Sequence, residues 1–369
     1  MGLDISTTEG LDGVGQADWD RLADGDDFYL SYRWLLTLEG DPFASTYCVL
    51  ARQDGVLVGA LPVYDVRVEG SGFYAPGRHR RALTGGGRWL VAGGRRGHHS
   101  GILLSGEEPR RRATLRALME AGLRLAGERQ ARGLVWMYAP TRVARWLHAE
   151  GASVAFDTVE ACLVADGWDE YLAGLGGRRR KGTMRERRRF EQAGYDVAEQ
   201  PLSECWPALA ELVANLQQKY GHRTTTEAMR RVLAPQAEYL DDDSVAFTVR
   251  WEGRLVAGAL QYRFGDTLYA RMIGFDYDRL LNAYEYFNLS YYLPVQYMER
   301  TGLRRLHLGI ESARVKAERG ARLHPLWTVA LPCDGSALDT AEHCVAERSA
   351  WRERYDERVL PAQDWDVPW

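Results

Sequence analysis

The sequence predicts an α/β (α+β) protein built from two similar halves, each a mixed, mostly antiparallel sheet flanked by helices. Three observations lead there. A short pattern is written twice, as Asp54-Gly-Val-Leu-Val-Gly-Ala-Leu61 and as Glu252-Gly-Arg-Leu-Val-Ala-Gly-Ala-Leu260, the second copy carrying one extra residue. Each copy follows an alternating strand (Tyr47–Arg52, Val245–Trp251) and precedes a tyrosine (Tyr64, Tyr262). An acidic residue plus glycine between two apolar runs is a hairpin signal. Around both copies the order helix, hairpin, long helix, strand recurs, as an internal duplication requires. Finally, strands and helices do not alternate one for one, which excludes a doubly wound parallel sheet.

Helical signals open the first half (Asp18–Leu22, Tyr29–Leu38), and the first hairpin spans about Thr46–Val68. A glycine- and arginine-rich stretch follows, Gly70–Gly101, containing Thr84-Gly-Gly-Gly-Arg88 and Gly93-Gly-Arg-Arg-Gly-His-His-Ser-Gly101. Arg110–Gln130 reads as an amphipathic helix, because Leu115, Leu118, Met119, Leu123 and Leu125 recur at helical spacing. An apolar strand (Gly133–Tyr138), a short helix (Val143–Glu150) and a strand (Ser153–Val164) close the half. The second half opens with Gly167–Leu172 and a basic helix, Arg178–Ala193, followed by a strand. Helices at Cys205–Leu216 and Thr226–Leu233 flank a turn at Tyr220–Arg223. The second hairpin is extended by a third strand, Thr267–Gly274, then a helix (Ala283–Thr301) and a strand (Arg304–Leu308). A strand (Trp327–Leu331) and a charged helix near Ala341–Arg354 end the chain. The expected division is 1–165, 166–345 and a helical tail, 346–369.

At 369 residues and 46% hydrophobic content the chain can bury the cores of two domains. The net charge of −4 gives no general attraction to DNA or to a membrane surface, so a polyanion site has to be a local patch. The five cysteines are scattered (Cys48, Cys162, Cys205, Cys333, Cys344), with no redox or zinc spacing and no disulfide framework. No basic start leads into an apolar segment, and no apolar run approaches the ~20 residues of a membrane span. The expectation is a reduced, cytoplasmic protein.

Arginine outnumbers lysine so heavily that only Lys181, Lys219 and Lys316 occur, and each invites a chemical reading. Lys316 lies in His307-Leu-Gly-Ile-Glu-Ser-Ala-Arg-Val-Lys-Ala-Glu-Arg-Gly-Ala321, directly after an apolar strand. Here the chain resembles the FemAB-like branch of the GNAT acyltransferase superfamily. In that branch a strand ending in Asp-x-Gly runs into a glycine-containing loop and then Tyr-Lys or Phe-Lys, a basic residue and glycine. The frame holds at Gly309, Lys316, Arg319 and Gly320, and departs from the pattern at His307, Glu311 and Val315. Ile273-Gly-Phe-Asp276 and Ala283-Tyr-Glu-Tyr-Phe-Asn288 resemble the strand-to-helix junction of the family. The resemblance covers Trp168–Leu331 and reaches the first half through the repeat and the Gly/Arg stretch. It implies tandem GNAT-like domains.

The resemblance also implies that Lys316 neutralises the oxyanion formed when an amine attacks an acyl ester or thioester. Physical chemistry supports this, since an ammonium in a partly desolvated cleft stabilises developing negative charge better than one in water. A solvated loop lysine is the plainer alternative. Amide formation also needs a proton acceptor. Asp276 and Glu285 at the junction are candidates, as are His98 and His99 in a Gly/Arg-rich stretch that could bind the acceptor or be a mobile loop. The run Arg178–Arg189 carries eight basic residues and one acidic. Lys181, Arg185 and Arg188 share a helix face, so with Arg178 they could hold a tRNA backbone, a pyrophosphate or a phosphopantetheine carrier, or else form a solvated face. No aromatic residues interleave with the run, so base stacking is not indicated. Tyr220, His222 and Arg223 in their turn, Tyr269, Arg271 and Tyr284 near the junction, and Glu311, Ser312 and Arg319 around Lys316 complete the expected substrate-binding set. No cluster has metal-ligand spacing, so neither a metal nor another cofactor is expected.

An acetyl-CoA-dependent GNAT grips the pyrophosphate with a glycine-rich turn at a helix start. After Phe275 this chain reads Asp-Tyr-Asp-Arg-Leu-Leu-Asn-Ala, without those glycines. The favoured donor is therefore aminoacyl-tRNA, as in the Fem ligases, and the acceptor an amine-bearing small molecule or peptide of cell-envelope or specialised-metabolite assembly. An acyl-CoA donor and a non-catalytic RNA- or partner-binding protein are the rivals.

Overall fold

The computed structural model describes residues 2–23, 28–69, 72–79, 83, 87–336 and 341–367, without the side chains of 341–344. Gly70, Thr84–Gly86 and the Cys344 side chain, all part of the sequence reading above, lie outside the described residues. The chain forms two compact units, one of residues 1–160 with 323–369 and one of residues 161–322.

In the first unit, β1 (Leu3–Glu9), β2 (Ala44–Gln53) and β3 (Val56–Val66) form an antiparallel meander. Strand β4 (Leu90–Ala92) pairs antiparallel with β3 and parallel with β6 (Gly133–Pro140). A two-residue β5 (Leu103–Leu104) adds to β3. The helix Arg110–Glu128 makes the crossover between the parallel strands, its buried stripe including Leu115, Leu118, Met119 and Leu125. Strand β7 (Ser153–Val164) carries the chain into the second unit.

The second unit repeats this path. Strands β8 (Asp196–Gln200), β9 (Ser244–Trp251), β10 (Arg254–Phe264) and β11 (Thr267–Phe275) are successively antiparallel, and β12 (Arg305–Ile310) is parallel to β11. The crossover here is a helix from Glu285 to Thr301, with a π turn at Asn288–Tyr292. Each unit thus runs through three antiparallel pairings and then one parallel pairing.

The duplicated hairpins agree in detail. Both turn residues have positive φ in each copy: Asp54 (52°) and Gly55 (81°), Glu252 (49°) and Gly253 (76°). That is the backbone a two-residue turn needs to match the strand twist. Each hairpin also bulges at the corresponding residue, Val58 and Val256, which are skipped in the register. The helix Trp206–Lys219 lies tightly on β11: a Cβ added at Gly274 would sit 2.3 Å from the backbone of Leu212 and Val213.

Strand β13 (Arg322–Pro332) pairs antiparallel with β6, setting Val329 against Trp136, and so belongs to the first unit. The C-terminal segment does too, with Trp365 buried and its indole N–H donating to Leu323 O at 2.9 Å. The expected boundary at 345 and the separate tail therefore differ from the compact units. Periodicity reports local structure, whereas this assignment depends on pairing between strands some 190 positions apart, from Trp136 to Val329. Strands β1 and β4 lie where no strand was expected. The first is mostly exposed and polar, and the second is three residues long in a glycine-rich segment. The helix Thr226–Tyr239 runs on past the expected end at Leu233 and through Pro235. Among the described residues no helix is long and apolar enough to cross a membrane.

Candidate active site

The parallel pair of the second unit positions the site. Strands β11 and β12 are paired only from Thr267–Arg305 to Tyr269–His307, yet β11 continues to Phe275 and β12 to Ile310. Their ladder stops halfway, and the carboxyl ends of both strands lie beyond it. Arg271 is the bulged residue of β11, skipped between the pairs Leu260–Met272 and Gln261–Ala270. Tyr269 is buried with its ring against His307, centroids 5.1 Å apart. Carboxyl ends of parallel strands are where open α/β sheets place ligands.

A left-handed turn leaves β12. Gly309, Glu311 and Ser312 have φ of 69°, 68° and 51°, and a five-residue helix, Ala313–Ala317, follows. Glu311 and Ser312 are exposed. Lys316 is not. Its side chain is folded back beneath the turn, 5% exposed. Its ammonium donates to the carbonyls of Leu308 (2.7 Å), Gly309 (3.0 Å) and Ile310 (2.6 Å). An ammonium has three N–H donors, so these contacts match its full complement. This corrects the expectation of a lysine facing a cleft. The charge neutralises converging carbonyl dipoles and holds two non-glycine residues in a conformation that costs energy in isolation.

Arg319, expected to hold a substrate anion, is also buried. Its guanidinium lies 3.4 Å from the centroid of the Phe287 ring, 5.6 Å from that of Tyr291, and 3.6 Å from Glu186. Glu186 also accepts from Arg179 and from the Tyr292 hydroxyl. Burial, and then the bond to Glu186, raise the Tyr292 phenol to about 12. Sequence reasoning missed Glu186 as a hub, although it is the lone acid in a basic run and so the one residue there able to pair inward.

Glu285 is buried as well. It accepts from the Tyr195 hydroxyl (2.6 Å) and from the Ala283 N–H (3.0 and 3.1 Å), while that hydroxyl accepts from the Leu281 N–H (2.7 Å). Burial first, and Glu285 next, push the Tyr195 phenol up. Glu285 thus fastens the start of the crossover helix instead of facing solvent as a proton acceptor. Asp276 is half-buried and bound to Arg279 at 2.6 Å. Tyr284 (φ 65°) is exposed, as are Tyr220 and Arg223, and His222 is half-buried.

The basic helix, Gly177–Glu191, divides sharply. Thr183, Glu186 and Phe190 are buried, and Arg178, Lys181, Arg185, Arg188 and Arg189 are exposed. Among the described residues these five cations have no acidic partner, in contrast to Arg179, held by Glu186, and Arg187, bound to Glu191 at 2.8 Å. The stripe covers about 16 Å, at 1.5 Å per residue.

In the first unit the segment Gly93–Gly101 is a packed knot. Gly97 lies on the Tyr29 ring, with room for no Cβ, and Arg95 is buried against Asp41 (2.7 Å) and Glu69 (3.0 Å). His98 Nδ1 is 3.4 Å from the Tyr29 hydroxyl, and His99 Nε2 pairs with Glu160. Sequence reasoning missed Glu160. Its signal was an acid within the apolar strand β7, where a buried carboxylate needs a partner.

The FemAB-like family, described as peptidoglycan biosynthesis/recognition, matches residues 97–359. None of the curated proteins matches the chain. Among solved structures, FemX is similar at 12% identity, over 88% of this chain and 96% of that one, with a TM-score of 0.60. A conserved protein of unknown function from Bacteroides thetaiotaomicron VPI-5482 is similar at 14% identity, over 89% and 100%, with a TM-score of 0.57. A tandem GNAT protein from the clavulanic acid biosynthesis pathway is similar at 15% identity, over 90% and 99%, with a TM-score of 0.54. At these identities the likeness is one of fold, the tandem GNAT-like architecture. With the family match extending over well more than half of its length, the chain belongs to the FemAB-like family.

Proposed function

We propose that this protein transfers an acyl or aminoacyl group from a carrier to an amine, forming an amide, with aminoacyl-tRNA as the donor and an amine-bearing peptide or small molecule of cell-envelope or specialised-metabolite assembly as the acceptor. The observation that carries the reading is the outer face of the basic helix. Five cations stand there without acidic partners, strung along a line and not converging on a point. A linear array suits a polynucleotide backbone better than a compact pyrophosphate. Family membership supports the envelope context.

In this reading the amine nitrogen attacks the ester carbonyl, a C–N bond forms and the carbonyl oxygen gains negative charge. Collapse of the adduct breaks the C–O bond to the ribose. The amine proton passes to a base and from there to the departing 3′ oxygen. Lys316 supports the reaction through the turn it holds at the end of β12, and its buried charge adds a positive field there. Asp276, directly after β11 in the same unit as Lys316, is the favoured proton carrier.

The test is donor exchange read by mass spectrometry. The purified protein is incubated with charged tRNA or with acyl-CoA and a panel of amine acceptors. The expected result is an acceptor heavier by one aminoacyl residue, with the product abolished by ribonuclease. Transfer from acyl-CoA that ignores ribonuclease would replace the donor. No amide from either donor would remove the transferase reading.

A further inference from the structure

Tyr220 is 72% exposed, more than any other large apolar or aromatic side chain among the described residues. It caps the helix Trp206–Lys219. That helix end is fastened to the end of β11, where Asn215 Nδ2 donates to Phe275 O at 3.4 Å. Lys219 Nζ lies 3.5 Å from the centroid of the Tyr277 ring, just past the strand. Tyr284, at the start of the crossover helix, is exposed at 36%. Its left-handed backbone is held by the Asn288 side-chain amide, which donates to Tyr284 O at 2.9 Å. Burial first, and the Tyr220 phenol next, raise the Tyr277 phenol. Tyr220, Lys219 and Tyr277, from two separate chain segments, therefore form a lip at the carboxyl end of β11. Strands β11 and β12 are parallel, so the lip and the Lys316 turn leave the sheet at the same end.

We propose that this lip is a stacking platform for a nucleobase of the donor, with Tyr220 beneath the base and Lys219 beside its phosphate. The inference rests on the transferase reading for the word donor, and on the lip alone for the base. Aromatic side chains bind unpaired bases through their faces, without regard to base identity. The lip interleaves hydroxyl groups and a cation with its rings, so it fits a ring carrying phosphate better than an apolar protein surface. It also supplies the aromatic component missing from the basic helix of the same unit. The shared chemistry, an adenine with phosphate attached, occurs both at the 3′ end of tRNA and in CoA.

The experiment uses the full chain, with AMP, CoA and the oligonucleotide 5′-ACCA-3′ as probes. Saturation-transfer NMR locates the contact and calorimetry gives the affinity. Adenine H2 and H8 are expected to receive the strongest saturation. Tyr220→Ala is expected to weaken binding about ten-fold at an unchanged melting temperature, and Tyr220→Phe to stay within about two-fold of the native protein. Binding of the oligonucleotide without CoA assigns the base to RNA, and the converse assigns it to CoA. Equal affinity of Tyr220→Ala and native protein, saturation confined to the ribose, or no binding of any probe overturns the platform. The two readings fail separately. Stacking without amide formation from any donor sinks the transferase and keeps the platform. Amide formation with an unchanged donor KM in Tyr220→Ala sinks the platform and keeps the transferase.

Discussion

Three carbonyl oxygens lie within 3.0 Å of the Lys316 ammonium, so removing the side chain strands three acceptors beneath a left-handed turn. We expect Lys316→Met to lower stability by about 2–4 kcal/mol in urea unfolding, against less than about 0.5 for an exposed lysine. A loss in the lower range would mean that the turn holds without it. The importance of this position was legible in the sequence, because the motif frame and the scarcity of lysine both singled it out. Its direction was not legible, since a flexible four-carbon stem can reach the preceding strand as easily as a cleft. Glu285 teaches the same lesson: its place beside the junction was readable, whereas its bonds to Tyr195 and Ala283 depend on a helix packing against it. Asp41 gives a prediction in pH. Burial alone would raise its carboxyl, but the bonds from Arg95 and the Phe43 N–H, with Arg96 nearby, hold it below its ordinary 3.8. A depressed folded pKa contributes stability above the unfolded value and loses it as pH falls through the folded one. Stability should therefore decline below about pH 4, and Asp41→Asn should flatten that decline in acid titrations followed by circular dichroism.

Among the elements, the basic helix makes the sharpest separation of structure from binding. Its inner face is fixed by Glu186, Thr183 and Phe190, and its outer cations are free to meet a polyanion. Reversing Arg185 and Arg188 to Glu should leave unfolding free energy within about 0.5 kcal/mol. The same change should lower tRNA affinity and reduce the slope of log affinity against log salt by about 2. An unchanged slope would remove the helix from the RNA path. The spacing of Lys181, Arg185 and Arg188 made this face readable. Tyr220 was readable as a substrate-binding candidate, but its place beside Tyr277 was not, because that depends on the packing of a helix on β11. That packing has its own test. Gly274→Ala would press a methyl group to 2.3 Å from the helix backbone. A loss of at least about 2 kcal/mol is expected on thermal unfolding, and a neutral substitution would contradict so close an approach.

At the scale of the whole molecule, the chain is one plan used twice. The duplicated hairpins announced it, and the matched turns at Asp54-Gly55 and Glu252-Gly253 and matched bulges at Val58 and Val256 bear it out. The division into units was less legible, because β13 returns to β6 across the whole second unit and no local pattern records that pairing. The two parallel pairs are not equivalent in chemistry: the second ends in a strained turn with a buried lysine and lies in the same unit as the basic helix. The central claim is that the reactive end of the donor sits where β11 and β12 end. A photo-crosslinking measurement tests it most directly, using an acceptor-stem RNA hairpin with a non-hydrolysable 3′ aminoacyl group that carries a diazirine. Peptides 271–284 and 308–319 are predicted to take the label, competed away by unlabelled charged tRNA; label absent from both segments, or indifferent to the competitor, would contradict the account.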